Sequence, residues 1–201
     1  MRFLCRFENQ GKFSPTDARS LASACYEAVR GHSADVGNLR VSSRAVELDL
    51  LLRSKDNLQA STEALEARLG PLITVRELDV KTPPMDLDRA VREGVELFNE
   101  ERYWESHEAF ESAWRQTAGA EKEVLQGVIL AAAALVHLQK NDRIVALSVI
   151  ERARDKLLHH SGERFGIDLD NLKQNLSKMI QVGEPVFFKI QARPYSSRSA
   201  A

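Results

Sequence analysis

The sequence predicts an α+β chain of two domains, an N-terminal ferredoxin-like βαββαβ module followed by an all-α helical bundle. Three observations predict it. Residues 1–80 alternate between period-two and helical spacing in the order strand, helix, strand, strand, helix, strand. Lys81-Thr82-Pro83-Pro84 then interrupts any regular element, because proline lacks the amide a strand or helix interior needs. Beyond it every strong signal is helical. The expected organisation is a module over 1–80, a linker over 81–86, a helical domain over 87–182 and a tail over 183–201.

The first strand, residues 2–7, sets Phe3, Cys5 and Phe7 on one face and Arg2, Leu4 and Arg6 on the other. Ser14-Pro15-Thr16-Asp17 marks a helix start, after which Ala18, Leu21, Ala22, Cys25 and Val29 recur at helical spacing until Gly31. Leu39, Val41 and Ser43 alternate with Arg40 and Ser42; a turn at Ser43-Arg44 leads into Val46, Leu48, Leu50 and Leu52, so a hairpin is expected. A second helix spans about 56–69, stopped by Gly70-Pro71, and a fourth strand covers 72–78. In the helical half the expected helices lie at 86–99, 102–116, 120–139, 143–159 and 168–181, joined by short connections that suit antiparallel neighbours. Residues 185–190 have β character without an obvious partner, and 193–201 read as a loose tail.

Lys+Arg total 28 against Asp+Glu 29, so no net field draws the chain to nucleic acid or membrane. The N-terminus becomes charged again at Arg6, too early for the apolar core of a signal peptide. The apolar run over 128–137 is half of a membrane span. Cys5 and Cys25 form no CxxC pair, which fits a reduced, cytoplasmic interior. The open sheet face would present Arg2, Leu4, Arg6, Arg40, Arg44, Glu47, Asp49 and Leu51. It offers no aromatic platform for stacking bases, so RNA binding is not expected.

One helix carries the unusual chemistry. At 100° per residue from Trp104, Glu111 falls at about 340°, His107 at about 300°, Trp114 at about 280° and Tyr103 at about 260°. Ala109 and Ala113 fall on the far side. The expected inward stripe therefore mixes two tryptophans and a tyrosine with an ionisable pair, and burying that pair is costly unless it is partnered. The run Leu97-Phe98-Asn99-x-x-x-Tyr103-Trp104-Glu105-x-His107-Glu108-x-x-Glu111-x-x-Trp114, followed by Leu125-Gln126-Gly127 and an alanine-rich helix, resembles a prokaryotic helical family. It is known as domain of unknown function 309 and its hallmark is an HxxxExxW signature. The resemblance spans about residues 88–160. It implies an all-α fold, and metal binding at the signature as an inference from residue types.

His107, Glu111 and Trp114 are thus the candidate site, with Tyr103, Trp104, Glu108, Gln126 and His137 as candidate supporters. Gln126 and His137 lie eleven residues apart, nearly three turns, and share one side of their helix. A metal reading uses His107, Glu111 and His137 as ligands for a divalent cation, with Glu108 as a base. His107-Glu108-x-x-Glu111 lacks the second imidazole of H-E-x-x-H, and the position three before His107 is Trp104 rather than the Glu of di-iron bundles. Three functions follow in order. The first is a non-catalytic domain binding a small molecule or protein partner through a buried His-Glu-Trp site, with self-association allowed. The second is a metal-dependent hydrolase or related enzyme. The third is a scaffold in which the pair only fixes packing.

Overall fold

The computed structural model describes residues 1–80 and 85–193. Residues 81–84 of the expected linker and 194–201 of the expected tail lie outside the described residues. The described residues fall into two compact units, 1–80 with 139–141 and 85–138 with 142–193, and each is taken by itself.

The N-terminal unit runs β1 (Arg2–Glu8), α1 (Ala18–Val29), β2 (Ala34–Val41), β3 (Ala45–Leu52), α2 (Leu58–Leu69) and β4 (Leu72–Glu77). Its sheet has the order β2-β3-β1-β4, and every neighbouring pair is antiparallel. The period-two pattern sends Phe3, Cys5 and Phe7 of β1 into one core with Leu21, Cys25 and Val29 of α1 and Leu65 and Leu69 of α2. Ser14 and Asp17 form the capping box that starts the first helical turn, with Pro15 just inside it.

Two details differ from the sequence expectation. β2 starts at Ala34 rather than Leu39, because the ladder slips between Gly37 and Arg40 and Asn38 turns left-handed at φ 49°. A bulge of this kind erases the alternation that marks a strand. The second sheet face is also not an open charged surface, since Leu4, Arg40, Glu47 and Asp49 are buried. Burying charge is tolerated when it is paired. Arg40 lies 3.5 Å from both Glu47 and Asp49, and Arg2 bonds Asp49 at 2.5 Å.

The C-terminal unit contains α3 (Leu87–Asn99), α4 (Tyr103–Trp114), α5 (Gly119–Gln139), α6 (Arg143–Leu157) and α7 (Leu169–Val182). Asp86, Asp142 and Asp168 cap α3, α6 and α7, each accepting a backbone N–H of the first turn. α5 supplies Leu125, Val128, Ala132 and Leu135 to the core. Its Gly127 permits a close approach: a Cβ there would stand 2.5 Å from Leu157 of α6. No helix among the described residues is long and apolar enough to cross a membrane.

The unit is not purely helical. A two-stranded hairpin, β5 (Glu163–Arg164) and β6 (Ile167–Asp168), joins α6 to α7. Strands of two residues are too short to show a period. The helical unit also does not stop at 182. Ile190 is buried, Phe187 and Phe188 pack on the same core, and Ala192 bridges to Ile167. Asn99 exchanges two hydrogen bonds with the Ile190 backbone, at 3.0 and 2.8 Å. The segment 185–190, which showed β character without an obvious partner in sequence, pairs at Ile190 with a helix side chain rather than a strand.

Candidate functional site

α4 follows a three-residue link from α3 and packs against it. Arg102 precedes its first turn, and Glu105 accepts from that guanidinium at 2.7 and 2.8 Å. The helix buries Tyr103, Ser106, Ala109, Phe110 and Ala113. The approach to α3 is close: a Cβ on Gly94 would meet the Phe110 ring at 2.8 Å, and Ser106 Oγ donates to Gly94 O at 2.8 Å.

This phase corrects the sequence expectation. The alanines point inward, and His107, Glu111, Trp104 and Trp114 are half-buried while Glu108 is exposed. The physical reason is size. Ala109, Ala113 and Ser106 let α4 sit tightly on its neighbours, whereas imidazole and carboxylate groups left at the boundary keep their hydration. Tyr103 does go inward, stacking on Phe187 at 5.7 Å and meeting Phe98 edge-on at 5.0 Å. Its hydroxyl is buried without a hydrogen-bond partner. Burial, helped by the nearby Glu101, pushes that phenol well above the ordinary tyrosine range.

On the outward side the ligand atoms of His107, Glu108 and Glu111 all lie within 4.8 Å of one another. His107 and Glu111 are one turn apart, and the Glu108 side chain is long enough to reach the same spot. Glu111 Oε2 also accepts from Arg115 Nη2 at 2.8 Å. The buried indole Nε1 of Trp114 has no hydrogen-bond partner. Lys122 of α5 places its ammonium 4.0 Å from the centroid of the Trp114 ring, a cation–π contact.

The expected supporters from α5 do not complete the cluster. His137 is half-exposed and faces Asp142, with Nδ1 3.6 Å from Oδ2. Gln126 is half-buried on the same helix and, like His137, is not one of the three residues of the cluster. His160 pairs with Glu123 at 3.1 Å. The residue that sequence reasoning missed is Arg115. Its signal was the i, i+4 spacing from Glu111, continuing the step from His107 to Glu111 by one more turn.

The donor set is one imidazole and two carboxylates. Such a set suits zinc, manganese or iron rather than a soft-metal site. Cis donors on a bound ion stand about 3 Å apart, given metal–ligand bonds of about 2.1 Å. Rotation about the side-chain torsions of the three residues brings their donors toward that spacing.

Residues 91–149 match the family model described as "Domain of unknown function (DUF309)", a span that includes all of α4 and α5. No curated protein matches the chain at a significant level.

Proposed function

We propose, for a chain whose residues 91–149 match the DUF309 family, that the helical unit is a ligand-binding domain and that its site is the outward face of α4. A divalent cation held by His107, Glu108 and Glu111 makes that face a site. The observation that carries this reading is the convergence of the three ligand atoms within 4.8 Å, on a helix whose other face is fully used in packing. Three protein donors leave coordination positions for a ligand. The role assigned is binding of a small molecule or of a carboxylate-bearing partner, without catalysis. Trp114 borders the site and reports on it.

Two further readings accompany it. The N-terminal unit is a ferredoxin-like module, which the element order and the antiparallel order β2-β3-β1-β4 support. A cytoplasmic location is supported by two cysteines that remain free thiols.

The test is titration of the full chain with Zn2+ and with Mn2+, followed by calorimetry and tryptophan fluorescence. The expected result is about one site per chain, lost in His107→Ala and in Glu111→Gln. Binding that survives both substitutions, or no binding in the wild type, would overturn the reading. Turnover of a hydrolysable substrate dependent on the same residues would replace binding by the hydrolase alternative.

A further inference from the structure

We infer that Arg115 is the residue that selects the ligand of this site, and that the ligand is an oxyanion held between the cation and the guanidinium. The inference rests on the cation reading above and extends it to the class of ligand.

Glu111 is the shared element. Its Oε2 is bonded to Arg115 Nη2 at 2.8 Å, and it is also one of the three converging donors. A cation at those donors competes with the guanidinium for the Glu111 carboxylate. Arg115 is mostly exposed, with 69% of its side-chain surface accessible, so it can yield without disturbing the core. It remains beside the site in either case, because it is the C-cap of α4, where a positive charge is favoured by the helix dipole.

Charge then decides the ligand. The carboxylates of Glu108 and Glu111 neutralise a divalent cation, and a metal-bound His107 is neutral. Arg115 leaves one positive charge in excess, and its planar fork of donors matches an oxyanion edge. Lys122, fixed over the Trp114 ring, adds a second positive charge on the flank, since Trp114 follows Glu111 by three residues on α4. A phosphate or carboxylate group thus finds a metal position on one side and N–H donors on the other. A neutral ligand would leave the guanidinium charge unmatched.

The experiment measures Mn2+ affinity of the full chain alone, with inorganic phosphate, and with acetate. The proteins are the wild type, Arg115→Gln, Arg115→Lys and His107→Ala, with thermal melts to confirm folding. Arg115→Gln removes the competitor for Glu111, so it should bind Mn2+ alone about two- to fivefold more tightly, the scale of an exposed ion pair. Phosphate or acetate should tighten Mn2+ binding in the wild type, and whichever anion acts identifies the oxyanion. That enhancement should vanish in Arg115→Gln and persist in part in Arg115→Lys. If the wild type binds Mn2+ through His107 but shows no enhancement, or if Arg115→Gln keeps it, this inference fails while the cation reading stands. If the wild type binds no Mn2+, both fail.

Discussion

The two faces of α4 share twelve residues and almost no chemistry. The inward face is built from Tyr103, Ser106, Phe110 and two alanines, all buried. The outward face gathers His107, Glu108, Glu111 and, just past the helix end, Arg115. The inward side chains interlock with α3 through Gly94, so a change there alters the packing of the whole unit. The outward side chains are half-buried or exposed, so a change there alters charge more than packing. The contrast teaches that unusual residues on a helix need not mark its buried side. They can stand where packing leaves them free for a ligand.

The contrast breaks most visibly at Phe110. It is fully buried and wedged against the Cβ-less Gly94. Phe110→Ala should cost about 3–5 kcal/mol by the lost burial and the cavity, measured by urea unfolding. A loss under about 1 kcal/mol would mean that this face is not the structural one. Ser106→Ala tests the same contact more gently. It removes the 2.8 Å bond to Gly94 O, with an expected loss of about 0.5–1.5 kcal/mol.

How much of this was legible depends on what each residue reports. β1 could be read because Phe3, Cys5 and Phe7 alternate cleanly and all reach the same core. The element order followed for the same reason, with helices and strands separated by their periods. β2 was shortened because Gly37 and Asn38 sit at the ladder slip. The hairpin at 163–168 was missed because four paired residues carry no period. His107, Glu108 and Glu111 were legible as candidates by residue type, but the phase of α4 was not. A tryptophan, a histidine and a glutamate all look costly to expose in one respect and costly to bury in another. Only the neighbours, Gly94 and the close helix α3, decide that the small residues go inside. Completion by His137 could not be checked from spacing on a different helix, and the structure gives His137 to Asp142 instead.

Tyr103 sharpens the comparison by an effect of opposite sign. It belongs to the inward face, yet its hydroxyl is buried with no hydrogen-bond partner. Tyr103→Phe keeps the ring contacts with Phe98 and Phe187 and removes the stranded group. The variant should be more stable by about 1 kcal/mol at neutral pH. Its pH dependence carries a second signature. Because burial and then Glu101 raise the folded phenol's pKa, the unfolded phenol ionises first as pH climbs past about 10. Wild-type stability therefore falls above that pH, and the Phe variant lacks that component of the fall.

The smallest expected effect on stability is the one that carries the most functional weight. His107→Ala and Glu111→Gln alter half-exposed side chains, and the second removes only an exposed i, i+4 ion pair. Such a pair contributes about 0.3–0.5 kcal/mol, and each variant should unfold within about 0.5 kcal/mol of the wild type. Read in urea alone, the outward face would look dispensable. Against this, a loss of several kcal/mol in either variant would return the pair to the role of a structural link and remove the distinction between the two faces. The informative result is the combination of unchanged unfolding with abolished cation binding. Residues selected only to hold helices together cannot give that pair of outcomes, because removing them must register first in stability.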